Sequence, residues 1–144
     1  LFPKDSKVLF LSQKPYMPLG TIKEAIFYPS PVDEKVDVAS LLDYVGLNYL
    51  KDKLDLIDNW SHVLSLGEQQ RIAFLRVVVN KPDVLFMDEA SSALDITNEN
   101  KLYTLIQEQL KDVIIVSVGH RDTLDKFHNK KLFLKKDCVV EKQF

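Results

Sequence analysis

The sequence predicts an α/β fold built on a parallel β-sheet, and three observations support this class. Short apolar runs at 7–12, 84–88 and 112–118 have the length of buried strands. The segments between them carry apolar residues at helical spacing. The second run ends abruptly in two carboxylates, Asp88 and Glu89. Because open α/β sheets bind ligands at the carboxyl ends of their strands, we expect these carboxylates to lie at a ligand site.

The first predicted strand, 7–12, is followed by a segment that cannot adopt regular structure. Two prolines and a glycine occur between 13 and 20, where they prevent a helix or strand from continuing. Thr21 and Glu24 then form a Thr-x-x-Glu capping box, which predicts a short helix through Phe27. Pro29 and Pro31 end that helix.

Two further helical pieces are predicted before residue 60. Between 36 and 47 the apolar residues recur at helical spacing, and Gly46 is placed to stop the helix. A second amphipathic piece is formed by Tyr49, Leu50, Leu54 and Ile57. Trp60 and His62 lie in the connector that follows, and we expect both to pack.

Ser65 and Glu68 form a second capping box ahead of an apolar-periodic run, which predicts a helix that begins near Leu66. A helix N-terminus presents free N–H groups and a positive dipole, and Gly67 lets an anion approach the backbone closely. A Ser-x-x-Glu pattern by itself is usually only a structural cap. Here it stands just upstream of the strand that carries the two carboxylates.

After the second strand, Asp95 or Thr97 can start a helix with an apolar face formed by Leu102, Leu105, Ile106 and Leu110. The continuous β-branched run at 113–118 is typical of a strand buried on both faces. The two apolar segments at 131–134 and 138–141 predict a terminal hairpin. His120 follows the third strand, whereas His128 has no comparable setting and receives no role.

Composition narrows the possible functions. A chain of 144 residues holds one domain or part of one. The 19 basic and 21 acidic residues are interspersed, so there is no electrostatic footprint for nucleic acid. Cys138 is the only cysteine, which excludes an internal disulfide and a cysteine-based zinc site. No apolar run approaches the roughly 20 residues that cross a bilayer. The chain does not begin with Met, and we expect a soluble piece of a longer protein.

Three ordered motifs carry a family resemblance. Ser65-Leu66-Gly67-Glu68-Gln69-Gln70-Arg71, then the segment from Asp88 to Asp95, then His120 resemble the signature, Walker B, D-loop and H-loop of ATP-binding-cassette (ABC) ATPases. The usual signature is L-S-G-G-Q, so Leu66 and Glu68 depart from it. That form, together with the segment 15–22, resembles bacterial fused permease/ATPase exporters related to the peroxisomal fatty-acyl transporters.

The resemblance implies a P-loop NTPase-type (RecA-like) parallel sheet with an inserted α-helical subdomain, truncated at the N-terminus. Residues 1–20 would hold a core strand and the Q-loop, 21–80 the helical subdomain with the signature, and 81–144 the Walker B, D-loop and H-loop core with the C-terminal hairpin. No G-x-x-x-x-G-K-S/T occurs in the sequence. In the family that loop precedes the Q-loop strand, so we expect it to lie before Leu1.

The resemblance also assigns site residues for ATP and Mg²⁺. Asp88 would hold the metal and Glu89 would activate water, while His120 and Gln13 would sense the γ-phosphate, with Gln13 also contacting the metal. The remaining candidates would close the nucleotide site of an opposite subunit or, in the case of Asp95, bridge the two subunits: Ser65, Leu66, Gly67, Glu68 and Asp95. The Asp88–Glu89 chemistry also follows from the residues themselves.

The function implied is the carboxyl-terminal part of the ATP-hydrolysing nucleotide-binding domain of an exporter. Its partners would be a second such domain and a transmembrane permease fused upstream, at the cytoplasmic face of a bacterial inner membrane or, less favoured, a peroxisomal membrane. Two alternatives stay open: a soluble cassette ATPase acting on nucleic acid or ribosomes, and a catalytically dead interaction fragment. Without the upstream strand, we expect 113–118 to form a sheet edge that aggregates, dimerises, or pairs with 132–134.

Overall fold

The computed structural model describes residues 4–136 and 138–144. Residues 1–3 and Asp137, which the sequence assigns to the hairpin turn, lie outside the described residues. The strands are β1 (Val8–Ser12), β2 (Val84–Asp88), β3 (Ile114–Val118), β4 (Lys130–Lys135) and β5 (Cys138–Gln143). The α-helices are α1 (Ile22–Phe27), α2 (Val38–Tyr44), α3 (Trp60–Val63), α4 (Leu66–Asn80) and α5 (Ile96–Gln109). Two 3₁₀ helices span Asn48–Lys53 and Asp122–Phe127.

A three-stranded parallel sheet with the order β1-β2-β3 organises the fold. Strand β2 lies in the centre and is joined to each neighbour through a long crossover that contains helices. This arrangement confirms the predicted α/β class. Because all three strands run in the same direction, their carboxyl ends meet at one edge of the sheet.

Helices α4 and α5 cover one face of this sheet. The inward side chains of β1 and β2 are buried in a single core with Phe74 of α4 and Tyr103 of α5. Phe74 and Tyr103 pack edge to face, with their ring centroids 5.6 Å apart. The predicted apolar faces of both helices are therefore confirmed, and the core fixes the sheet against the helix that carries the signature segment.

The opposite face of the sheet is exposed along β1 and β3, whereas Val84 of the central strand is buried. Phe10 is 72% exposed, and Ile114 and Val118 are 57% and 58% exposed. Phe10 stacks on Phe86 of the neighbouring strand, with ring centroids 4.8 Å apart. The prediction that the third strand is buried on both faces is wrong, because among the described residues the face that carries Ile114, Val116 and Val118 is left uncovered. The first strand is half-buried for the same reason.

Strand β3 forms an edge of the sheet in the part of the chain that the structure describes, as expected. The predicted hairpin is also confirmed, since β4 and β5 pair antiparallel in a separate sheet. The expectation that 132–134 fills the gap beside β3 is wrong, because β4 pairs with β5 instead. Aggregation or dimerisation through the β3 edge stays a prediction.

The helices between β1 and β2 agree with their local signals. Helix α1 begins after Thr21, and Thr21 and Glu24 form both bonds of a capping box. Helix α2 ends ahead of Gly46, whose φ of 70° is a left-handed conformation that glycine adopts at low cost. Trp60 is buried, and its indole Nε1 donates to the Gly20 carbonyl over 2.8 Å, which confirms its packing role.

Two predictions in this region are wrong. The second amphipathic piece is only the 3₁₀ helix Asn48–Lys53, and Ile57 is exposed beyond it. Only Leu50 of that helix reaches the core, and too few apolar contacts follow it to hold a longer helix. His62 is exposed as well, because the short helix α3 turns Trp60 inward and leaves His62 on its outer side.

Candidate active site

The carboxyl ends of the three parallel strands bring the predicted site segments together. Ser12, Asp88 and Val118 occupy the same register position on neighbouring strands. Gln13, Glu89 and the segment 119–120 follow immediately in the chain. Asp88 and Gln13 are both exposed at this edge. The sequence prediction that the second strand delivers Asp88 to a ligand site at the sheet edge is consistent with this geometry.

Glu89 and His120 form the closest pair of ionisable side chains at this edge. His120 Nε2 lies 3.1 Å from Glu89 Oε1, which is a hydrogen bond with a neutral imidazole and an ion pair with a protonated one. Glu89 is one-quarter exposed, whereas the His120 side chain is 91% exposed. The pair therefore faces solvent on the imidazole side, where a ligand can approach.

The backbone of Glu89 is unusual. Its φ of 51° lies in the left-handed region, which non-glycine residues seldom adopt. Its N–H donates to the Val118 carbonyl over 2.9 Å and so extends the β2–β3 ladder by one bond. The chain then turns at once, and the Ser92 N–H donates to the Glu89 carbonyl. Such strain is retained where the surrounding bonds hold it, and it frequently marks functional sites.

The donor set at the edge fits Mg²⁺ bound together with a phosphate ligand. Among residues 4–136 and 138–144 there is no group of three or more His, Cys, Asp or Glu side chains that could enclose a metal. Magnesium does not need one, since it is usually held by one or two carboxylates together with substrate phosphates and water. The Asp88 carboxylate and the Gln13 amide oxygen are hard oxygen donors of the kind it prefers.

The signature segment begins helix α4 with the predicted capping box. The Ser65 hydroxyl accepts from the Glu68 N–H over 3.3 Å, and Glu68 Oε2 accepts from the Ser65 N–H over 2.8 Å. The second Glu68 oxygen accepts from the Tyr49 hydroxyl over 2.8 Å. Leu66 is the first helical residue and is exposed. The carboxylate of Glu68 is thus engaged in holding the helix start.

These contacts shift two pKa values. Partial burial, and then the hydrogen bond to Glu68, raise the pKa of Tyr49 to about 12. Partial burial also raises the pKa of Glu68, but the hydrogen bonds from Ser65 and Tyr49 outweigh it, and the pKa is lowered overall. Tyr49 therefore remains a hydrogen-bond donor and Glu68 an acceptor near neutral pH.

Gly67 lies against the segment that follows the two carboxylates. A Cβ atom at Gly67 would stand 3.2 Å from the Ala93 carbonyl oxygen, so a larger residue would push the helix start away from this turn. Asp95, a few residues on, is the N-cap of α5, and its side chain accepts from the Asn98 N–H over 2.7 Å. The structure thus places the signature helix beside the segment that ends in Asp95.

Sequence reasoning missed three polar residues around this segment: Gln70 and Glu99, which are buried, and Arg121, which is partly exposed. The Gln70 side-chain amide forms hydrogen bonds with the Ser92 hydroxyl and the Ala93 N–H. The Glu99 carboxylate accepts a hydrogen bond from the Ser91 hydroxyl, with Oε2 and Oγ 2.6 Å apart. Arg121 lies 3.3 Å from Glu99 and donates to two carbonyl oxygens of the same segment. The burial of Gln70 and Glu99 could have been predicted from the sequence, because these residues lie in line with the apolar stripes of α4 and α5.

The family model for ABC transporters matches residues 3–92 of the chain. A Haemophilus influenzae ABC transporter ATP-binding protein is 48% identical over 126 residues, covering 88% of this chain and 21% of that protein. The chloroplastic ABC transporter D family member 2 of Arabidopsis thaliana is 39% identical, covering 88% of this chain and 22% of that protein. The human lysosomal cobalamin transporter is 38% identical, with 85% of this chain and 22% of that protein covered.

A solved structure of a bacterial Atm1-family ABC exporter with ATP bound has the same fold. It superposes with a TM-score of 0.76 at 24% identity, and the match covers 90% of this chain and 24% of that one.

The chain spans about a fifth of the length of the curated relatives it matches. In the part of the chain that the structure describes, none of the helices has the length and apolar content to cross a bilayer.

Proposed function

The chain belongs to the ABC transporter family, and on that premise we propose that it is the carboxyl-terminal part of the ATP-hydrolysing nucleotide-binding domain of a membrane exporter. The observation that carries this proposal is the contact between Glu89 and His120 at the end of the central strand, directly after Asp88. A carboxylate held by an imidazole beside a metal-binding aspartate is an arrangement that can promote phosphoryl transfer to water.

In this proposal the residues at the sheet edge bind and orient the reacting groups. Asp88 would hold Mg²⁺, and the Gln13 side-chain oxygen would be a second donor. When bound, Mg²⁺ neutralises charge on the phosphate oxygens of ATP. Glu89 accepts a proton from the attacking water, and His120 keeps the Glu89 carboxylate in place while its exposed edge contacts the γ-phosphate. The strained backbone of Glu89 fixes the direction of that carboxylate.

The signature segment acts on a different nucleotide in this proposal. Ser65, Leu66, Gly67 and Glu68 form the start of α4, where free N–H groups attract phosphate. They close the ATP site of an opposite subunit, with Ser65 and Gly67 closest to the phosphates, and Asp95 bridges the two subunits. Each ATP site therefore combines Asp88, Glu89 and His120 of one chain with the signature segment of its partner.

This part of the nucleotide-binding domain would divide as the sequence suggests, with the core strand and Q-loop at 1–20, the helical subdomain at 21–80 and the remaining core at 81–144. The partner domain would be a second copy, and a transmembrane permease would be fused upstream. Relatives that are named as transporters favour this reading over a cassette ATPase acting on nucleic acid or ribosomes. The site would lie at the cytoplasmic face of a bacterial inner membrane.

Calorimetric titration with MgATP, paired with phosphate release, tests the proposed function. We expect the full-length protein to bind and hydrolyse MgATP. The 144-residue chain should do neither, because no lysine-bearing glycine loop occurs in it to hold the β- and γ-phosphates. Absence of hydrolysis by the full-length protein would contradict the proposal. Micromolar binding of MgATP by the 144-residue chain, lost on Asp88→Ala, would contradict the expectation for the chain. It would show that these residues hold nucleotide by themselves, which a dead fragment cannot do.

A further inference from the structure

The side chain of Gln70 is fully buried and joins two segments of the proposed site. Its Nε2 donates to the Gln13 carbonyl over 2.8 Å and to the Ser92 hydroxyl over 3.1 Å. Its Oε1 accepts from the Ala93 N–H over 3.0 Å. One amide group therefore ties the end of β1, the signature helix and the turn after Glu89 into one unit.

These bonds are unlike those of an ordinary buried amide. Gln69, the preceding residue, is also buried, but it donates to the carbonyls of Ser61 in α3 and of Leu64, both just ahead of its own helix. Gln70 instead contacts residues that lie 57 and 22 positions away in the chain. A buried hydrogen-bonded amide holds its partners in a single geometry, because leaving any of them unpaired is costly.

The turn that Gln70 holds is fixed on its other sides as well. The Ala93 carbonyl oxygen lies against Gly67, where a Cβ atom would stand only 3.2 Å from it. Arg121, adjacent to His120, donates to the Leu94 and Ser92 carbonyls over 2.7 and 2.9 Å. A shift of the turn would thus be felt at the signature segment through Gly67 and at His120 through Arg121. Gln70 adds a side-chain link from this turn to the Gln13 backbone.

We propose that Gln70 is a positioning residue for ATP hydrolysis, which couples the placement of Gln13 to that of the turn between Glu89 and Asp95. The proposal rests on the proposed function. Gln70 contacts neither nucleotide nor metal. It sets the relative position of the groups that do, and displacements of about 1 Å in such groups cost up to roughly 10²-fold in rate.

Two substitutions in the full-length protein separate the bonds of Gln70. Q70M keeps the size of the side chain and removes all three bonds. Q70E keeps the acceptor for the Ala93 N–H but turns a carboxylate oxygen toward the Gln13 carbonyl, which breaks that link. We expect both variants to lower kcat for MgATP hydrolysis by roughly 10-fold or more while KM for ATP stays within about twofold. Hydrogen exchange of peptides covering 90–95 should become faster in Q70M and stay slow in Q70E.

Q69M is the matched control, since it removes a buried amide from the adjacent position on the same helix. We expect its kcat to exceed that of Q70M clearly, even if its thermal stability falls as far. Equal kcat in Q69M and Q70M, or wild-type kcat in Q70E, would overturn the coupling role. If Q70M does not fold, Q70E carries the test. A wild-type protein without ATP hydrolysis would instead refute the proposed function, so the two failures are distinguishable.

Discussion

Glu89→Gln in the full-length protein is expected to lower the rate of ATP hydrolysis by roughly 10²-fold or more, the scale of losing a positioned general base. Glutamine has the same size and can still accept a hydrogen bond from His120, so the turn after β2 should keep its shape. It cannot take a proton from water. Nucleotide binding should therefore persist, and the ATP-bound dimer should accumulate.

The control for this variant is Glu108→Gln, because Glu108 is an exposed carboxylate on α5 that undergoes the same chemical change. It should retain the wild-type rate. Phosphate release and retained radiolabelled nucleotide measure the two effects. A Glu89→Gln protein with wild-type turnover would move the role of the base elsewhere, and His120 would be the first candidate.

Arg121→Met should destabilise the chain by about 3 kcal/mol or more, because it leaves the Glu99 carboxylate buried without its cation. Glu99 is fully buried, and two hydroxyl donors, from Ser91 and Thr123, would be its remaining partners. The variant also removes the donors to the Ser92 and Leu94 carbonyls. Urea unfolding of the chain, followed by circular dichroism, measures the change.

Lys131→Met is the matched control for the ion pair. Lys131 contacts Asp122 and Asp125 over 3.0 Å each, and Asp122 is almost fully exposed. Ion pairs of that kind contribute about 0–1 kcal/mol. The double variant Arg121→Met, Glu99→Met should recover part of the loss, since it removes the uncompensated charge. A single Arg121→Met variant as stable as Lys131→Met would show that Glu99 is not dependent on its cation.

The elements that could be predicted from sequence are those with local signals. Both capping boxes predict the first turn of their helices, and α1 and α4 begin directly after Thr21 and Ser65. The carboxylates at the end of β2 lie at the sheet edge because parallel strands deliver their carboxyl ends together. The hairpin of β4 and β5 follows from two apolar runs separated by a short polar turn.

What escaped prediction depends on contacts between distant parts of the chain. The exposed face of β3 cannot be read from a β-branched run, since burial depends on what packs against each face. The bonds of Gln70 and the Glu99–Arg121 pair join residues 22 to 57 positions apart, and no local pattern specifies their partners. The end of the 3₁₀ helix at Lys53 also depends on packing, because Leu50 is the only residue of that helix that is buried.

Of the two departures from the usual signature, the one at Glu68 has a structural explanation. The residue at this position supplies the second bond of the capping box, which glutamate and glutamine both can make. Glutamate adds a charged acceptor for the Tyr49 hydroxyl, and its lowered pKa keeps it ionised near neutral pH. Nothing in the structure explains Leu66 in place of glycine.

Each ATP site is proposed to combine residues of two subunits, and co-purified mixed dimers of differently tagged full-length subunits distinguish this arrangement from sites built within one subunit. One mixture pairs a Ser65→Ala subunit with a Glu89→Gln subunit, and the other pairs a wild-type subunit with one that carries both changes. In a composite site the first mixture keeps one intact site and the second keeps none. With composite sites, single-turnover phosphate release is expected only from the first mixture; release only from the second would show that Ser65 and Glu89 serve a site within one subunit.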